Sequence, residues 1–402
     1  MQRLKNLFLA GAILISMFVS GQDQKEGEKE KGYQFTTIKE IPCTSVKDQF
    51  RSGTCWSFSG LGFLEAEMLR LGKPTVALSE MFVVNHSYSD KAVKYIRLHG
   101  SLNFGAGGAF HDVTNVIKKY GIVPNEVYNG LNYGEEKPVH GELDRILLEN
   151  VKAVVENPNK KLTTAWHDAV NGVLTSYLGE LPEKFTYQGK EYTPQSFAQD
   201  FVGLNMDDYV EITSFTHHPF YTKFIIEVPD NWSWDQVYNV PLNELEEIID
   251  NSISTGYTVA WAADVSEKGF STSQKGVAVV PEVEKANMTD AEISKWEKQS
   301  EKEKNEELYK LDKPGKEKLI TQELRQIDFD NYQTTDDHGM LIVGTAKDQA
   351  GNLYYKVKNS WGDYNDYHGF FFASKPYVKY KTTSIMVHKD AIPKNIRKKL
   401  NL

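Results

Sequence analysis

The chain of 402 residues has only two cysteines, Cys43 and Cys55. A disulfide framework like that of small secreted domains is therefore excluded, and so are metal sites built on several thiolates. A bond between the two would silence Cys55, for which a reactive role is argued below; Cys43 reads instead as a buried, unreactive thiol. Positive charge is also short. Lys and Arg number 46 against 55 Asp and Glu, and the formal net charge of −9 argues against a nucleic-acid surface. The apolar run Leu7–Val19 is too short for a comfortable membrane span, which takes about 20 residues. Stable membrane insertion is not expected. The 10 histidines show no metal-binding spacing. His217-His218-Pro219 is adjacent rather than i, i+4, with no evident Cys or carboxylate partner, so structural use and no metal or other cofactor are expected.

What is present begins with a hydrophobic content of 40%, enough for one large body or two lobes. Arg3 and Lys5, the apolar run and the small residues Ser20 and Gly21 read as a secretory signal peptide, residues 1–21. A secreted or periplasmic product follows, more acidic still once the leader is removed. Residues 22–32, almost wholly charged or small, are expected to form a mobile mature N-terminus. They are too few for a folded prodomain. Asn85-His86-Ser87, Asn231-Trp232-Ser233 and Asn287-Met288-Thr289 match the glycosylation sequon.

Apolar residues at Phe58, Leu61, Leu64, Met68 and Leu71 predict a helix over 56–71, stopped by Gly72 and Pro74 and placing Cys55 at or near its N-cap. A second helix is predicted over 110–120, after the glycine-rich Gly105-Ala106-Gly107-Gly108. Residues 140–220 read as an inserted, mainly helical region with a turn at Tyr187-Gln188-Gly189-Lys190. Strands are predicted over 224–228, 257–265, 340–345, 353–358 and 370–373. The mixed charges of 282–326 at helical spacing predict a solvated helical face. The chain reads as a helical first half and a sheet-rich end.

Chemistry concentrates around Cys55. A thiolate at a helix start is stabilised by unpaired N–H groups and the helix dipole, which predicts a lowered pKa. Gln49, six residues upstream, offers an amide donor. His338 stands just before a strand and Asn359 closes the next, so one sheet rim could hold imidazole and amide together. A nucleophile, its base, an orienting group and an oxyanion donor are the parts that acyl transfer at cysteine requires.

Gln49, Ser52-Gly53-Thr54-Cys55-Trp56-Ser57-Phe58, Asp337-His338 and Asn359-Ser360-Trp361-Gly362 together resemble the papain superfamily of cysteine peptidases. The long gap from Cys55 to His338 is similar to that of the bleomycin hydrolase and aminopeptidase C branch, peptidase family C1B. Similarity continues through Gly107-Gly108, Lys118–Pro124 and Gly256–Val265. The resemblance implies an α+β fold with a helical lobe and an antiparallel sheet or barrel lobe, spanning residues 33–395. It implies Cys55 as nucleophile, His338 as general acid and base, Asn359 as its orienter, Gln49 as oxyanion donor and Trp361 as a shield over the Asn–His bond. By the same resemblance Gly107 and Gly108 would pair with substrate backbone, and Asp337 would match an acidic neighbour of the histidine. Peptide or protein substrates and a homo-oligomer, hexameric in that branch, are implied as well.

Three departures stand against the full transfer: the apparent leader, the acidic balance and the end of the chain. In that branch a terminal carboxylate enters the cleft and restricts cleavage to free N-termini. Here residues 396–402 read as a short basic tail, so a relaxed exopeptidase restriction is expected, and exo- and endopeptidase action both stay open. Acyl transfer to amines, as in transglutaminase-like enzymes, and a retired peptide-binding scaffold are the competing readings. The first usually orients its histidine with Asp, and the second usually loses the nucleophile or base.

Overall fold

A computed structural model describes residues 32–285 and 288–402. The leader and nearly all of the proposed mobile segment lie outside the described residues, as does Asn287.

Among the described residues thirteen strands carry the sheets. In chain order they are β1 (Phe35–Glu40), β2 (Phe185–Tyr187), β3 (Lys190–Tyr192), β4 (Tyr209–Thr213), β5 (Lys223–Ile225), β6 (Gln236–Asn239), β7 (Val259–Ala263), β8 (Phe270–Ser271), β9 (Val277–Ala278), β10 (His338–Asp348), β11 (Leu353–Lys358), β12 (Phe370–Ser374) and β13 (Thr382–His388). All but the β2–β3 hairpin join one mixed sheet in the order β5-β6-β4-β13-β7-β10-β11-β12-β9-β8, with β1 also on β10. One edge of β10 is shared: His338–Ile342 pair with β7, and Gly344–Asp348 with β1.

The helices before the sheet-rich part are α1 (Cys55–Arg70), α2 (Glu80–Arg97), α3 (Phe110–Tyr120), α4 (Gly141–Val155), α5 (Ala165–Leu178) and α6 (Pro194–Ser196), the last running into a π-helical turn. α1 is buried over most of its circumference, as a helix with apolar and small residues all round should be. It packs on β10 and β7. Region 140–220 has no core of its own. Leu143, Leu147, Val170 and Leu174 join the same apolar cluster as Phe63 and Phe82, because the apolar stripes of α4 and α5 have α2 to cover them.

The central strands are buried on both faces, with the two-residue period of a strand. Leu341 and Val343 face the helical lobe's core, while Met340 and Ile342 face a second core. On that second side lie α7 (Leu242–Thr255), and later in the chain α11 (Lys375–Lys381) and α12 (Lys394–Lys399). Between α7 and α11 come α8 (Asp290–Lys298) and α9 (Glu301–Leu308), neither with a buried residue, and α10 (Gln322–Asp330).

The predicted helices and the five predicted strands fall on observed elements, whereas β1, β2, β3, β4, β6, β8, β9 and β13 were not predicted. β13 was missed although it lies mid-sheet, because its Thr-Thr-Ser start hides a fully buried strand. The expected basic tail is instead a packed helix: Ile396 and Leu400 are buried in the second core, with the basic residues turned outward. Among the described residues no helix is long and apolar enough to cross a membrane.

Candidate active site

Cys55 is the first residue of α1, and both cysteines are free thiols. The N-cap, Thr54, makes no side-chain cap; its hydroxyl pairs with Ser52 Oγ at 2.5 Å. The Ser57 N–H donates to the Thr54 carbonyl at 3.0 Å, so the N–H groups of Cys55 and Trp56 are those left at the start of α1. Opposite them, β10 begins with His338. Alternation along β10 turns position 339 toward α1, as it does Leu341 and Val343. Any Cβ on Gly339 would stand 2.7 Å from Ser59 Oγ and 3.3 Å from Trp56 Cα. Glycine at 339 is what lets the strand carrying the imidazole approach the helix carrying the thiol.

β10 and β11 are antiparallel, with Leu341 opposite Lys358, so Asn359 emerges on the same rim as His338. Asn359 Oδ1 accepts from His338 Nε2 at 2.7 Å and from the Ser360 N–H at 2.8 Å. The second bond comes from a backbone donor and fixes which way the amide points. His338 Nε2 must therefore carry a hydrogen, which leaves Nδ1 with the lone pair. Asn359 Nδ2 donates to Tyr364 Oη at 3.1 Å. Trp361 stacks on the imidazole at 4.8 Å between centroids.

Ser360 ties this pair to Gln49. Its carbonyl accepts from the Gln49 N–H at 2.8 Å, and its hydroxyl donates to Gln49 Oε1 at 2.5 Å. Gln49 is buried, and with Oε1 engaged its Nε2 is the group left to donate. The sequence argument passed over Ser360 and Gly339, whose roles need a partner from the other lobe.

Burial governs the charges. It pushes the Cys55 thiol up to about 12, against the lowering effect of the Gly339 N–H, with Asp336 and Asp230 adding to the rise. It pulls the His338 imidazole down to about 4, the bond to Asn359 opposing. The sequence-based expectation of a lowered thiol pKa is thus not met. Desolvation outweighs the helix start, although Cys55 keeps part of its surface in solvent.

Cys55 and His338 line one pocket, with Gly108, His111, Glu211, Asp230, Asp336 and Asp337 among its walls. His111 Nδ1 is ion-paired with Glu211. Burial alone would lower the His111 pKa, but Glu211 lifts it to about 10. Asp337 is exposed and accepts from the Val265 N–H and the Thr335 hydroxyl at 3.2 and 2.7 Å. Gly107 and Gly108 are half-buried, and neighbouring side chains lie close against them. A Cβ on Gly107 would meet Asp230 Oδ2 at 2.0 Å, and one on Gly108 would meet the Trp56 ring at 2.8 Å.

His217 and His218 do have a carboxylate partner, contrary to the sequence reading: Glu227 stands 3.0 Å from Nε2 of each ring. Glu227 follows nine residues after His218, beyond the short metal-ligand spacings considered. The Thr216 N–H donates to Gln326 Oε1, which turns Gln326 Nε2 toward His217 Nδ1 at 3.0 Å. His217 Nε2 then bears the hydrogen that Glu227 accepts, an arrangement unsuited to ligation through that nitrogen. Two of the sequons are also unsuited to modification in the folded chain, since Asn85 and Asn231 are buried.

The family model described as the peptidase C1-like family matches residues 83–307 and 291–402. The chain belongs to that family, the aminopeptidase C and bleomycin hydrolase branch of cysteine-type peptidases, which are hydrolases. Aminopeptidase G of Lactobacillus delbrueckii subsp. lactis is 23% identical, over 89% of this chain and 83% of its own. Aminopeptidase C of Streptococcus thermophilus is 22% identical, covering 92% and 85%, and aminopeptidase E of Lactobacillus helveticus 23%, covering 96% and 90%. The crystal structure of PepW from Lactobacillus rhamnosis HN001 superposes with a TM-score of 0.66 at 19% identity, covering 91% of this chain and 84% of that one. The fold is shared with it. Gln49 and Cys55 precede the residues matched by the family model.

Proposed function

We propose that this protein is an exported peptidase that cleaves peptide bonds through a covalent thioester at Cys55, with His338, Asn359 and Gln49 in the roles their geometry supports. The observation that carries this reading is the amide of Asn359, held by the Ser360 N–H so that His338 Nε2 donates to it at 2.7 Å. Nδ1 is then the basic nitrogen, beside a thiol at an uncapped helix start.

In the reaction, Sγ adds to the peptide carbonyl carbon while its proton passes to His338 Nδ1. The negative oxygen that forms accepts hydrogen bonds from the Cys55 N–H and Gln49 Nε2. The C–N bond breaks as the Nδ1 proton moves to the leaving amine. Water, deprotonated by Nδ1, then cleaves the thioester and restores the thiol. Through both steps Asn359 holds Nε2–H, and the Trp361 ring keeps that bond from water.

Residues 396–402 are absent from the walls of the Cys55 cavity. The printed names of the relatives, all aminopeptidases, favour a preference for free N-termini. Mapping cut sites in a peptide library by mass spectrometry tests the reading. Cleavage should vanish in Cys55→Ala; cleavage that persists, or ligation of amines instead of hydrolysis, overturns it. For export, the mature protein outside the cytoplasm should begin at Gln22, and an uncleaved cytoplasmic chain would refute that part.

A further inference from the structure

We propose that Asp230 is the specificity-determining residue of this site, its carboxylate receiving the free α-ammonium of the substrate; the inference rests on the peptidase reading above. Asp230 comes from the loop after β5, far in sequence from every motif around Cys55, and it lines the same cavity as Cys55 and His338. Its carboxylate is pressed on the backbone at Gly107, so close that a Cβ there would be 2.0 Å from Oδ2. A substrate strand running along Gly107 meets this carboxylate. The acyl side of a bound peptide must end near Asp230, and a chain that ends there ends in an ammonium group.

The loop is built to hold the carboxylate in place. Asn231, next in sequence, is 3% exposed; its Nδ2 donates to the Ile226 and Asp235 carbonyls at 3.1 and 3.0 Å, and its Oδ1 accepts from the Asp235 N–H at 3.1 Å. Asp230 Oδ1 accepts only a long bond from Asn103 Nδ2 at 3.2 Å, and Oδ2 accepts none among the described residues. The nearby cation, Lys91, donates to two carbonyls, Gly105 O at 2.8 Å and Gly107 O at 2.6 Å, and its charge only partly offsets the burial that raises the Asp230 pKa. It forms no ion pair with Asp230 among the described residues.

The rest of the cavity wall is short of positive charge. Asp336 and Asp337 flank His338, and the one histidine cation, His111, is neutralised by Glu211. Burial, followed by the charges of Asp230, Glu211 and Asp337, pushes the Asp336 carboxyl up to about 8. A cation entering between Asp230 and Asp336 relieves this repulsion, whereas an acylated, neutral N-terminus leaves it in place. Selectivity then comes from a side chain of the loop after β5.

The test compares aminoacyl-coumarin amides with their N-acetyl counterparts, on wild type, Asp230→Asn and Asp230→Ala, with thermal unfolding to confirm that each variant folds. Wild type should favour the free amine by roughly 10²-fold in kcat/KM, mainly through KM, and both substitutions should collapse that ratio toward one. If wild type cleaves both forms alike, or if the Asp230 variants keep the ratio, the assignment is overturned while the peptidase reading stands. If N-acetyl-lysyl and N-acetyl-arginyl substrates match the free amines, the pocket reads basic side chains and the α-ammonium assignment fails. Absence of turnover on every substrate, with Cys55 still open to alkylation, overturns the underlying reading.

Discussion

Gly339→Ala tests how the thiol and imidazole are brought together. Position 339 lies in an ordinary strand, so the substitution meets no conformational penalty of its own. What it meets is α1. The new methyl would stand 2.7 Å from Ser59 Oγ, 3.3 Å from Trp56 Cα and 3.4 Å from the Cys55 carbonyl carbon. Ser59 Oγ is held by a 2.6 Å bond to the Cys55 carbonyl, so it cannot turn away freely. Restoring ordinary carbon contacts requires the strand to withdraw by about 0.5 Å. Overpacking of this kind costs about 1–3 kcal/mol, which lowers the Tm of a chain this size by roughly 1–4 °C. A misplacement of 1 Å costs on the order of 10²-fold in rate, so half that predicts about a tenfold fall in kcat/KM. Adding Ser59→Ala removes the nearest atom and should recover most of the Tm loss. The assays are differential scanning fluorimetry and steady-state hydrolysis of a coumarin substrate. A variant that loses Tm but keeps wild-type kcat/KM would refute the claim that this contact sets His338 against Cys55.

Two further predictions follow from the same structure. Gln49→Ala should lower kcat by roughly 10²-fold with little change in KM, through loss of one oxyanion donor; an unchanged kcat would remove Gln49 from the oxyanion site. His140 is fully buried with neither ring nitrogen hydrogen-bonded, and burial lowers its pKa to about 4. Its unfolded value is about 6.5. The neutral ring's contribution is therefore complete above about pH 6.5 and is lost as the pH falls toward 4, on the order of 3 kcal/mol in all. Urea midpoints between pH 7 and 4 should fall less steeply in His140→Phe, and an identical slope would show that another group controls the acid limb.

The sequence by itself determined the chemical types and their order: a lone thiol at a helix start, a glutamine before it, a histidine opening one strand and an asparagine closing the next. These were legible because each is set by local signals, helical spacing after Cys55, the glycine stop at 72, and turn residues between β10 and β11. Local periodicity also placed α1 and α3 within a residue or two. Tertiary structure decided what those residues experience. Only the approach of β10 to α1 explains Gly339, and only the pairing of residues 47–49 with 360–362 lets Ser360 hold Gln49. Desolvation in the assembled cavity reversed the expected thiol shift, an effect that depends on every wall at once and is encoded at no single position. The same holds for Asp230. No spacing connects it to Gly107, yet the fold sets its carboxylate on that glycine, because the loop after β5 is anchored through Asn231 in a lobe assembled from distant parts of the chain.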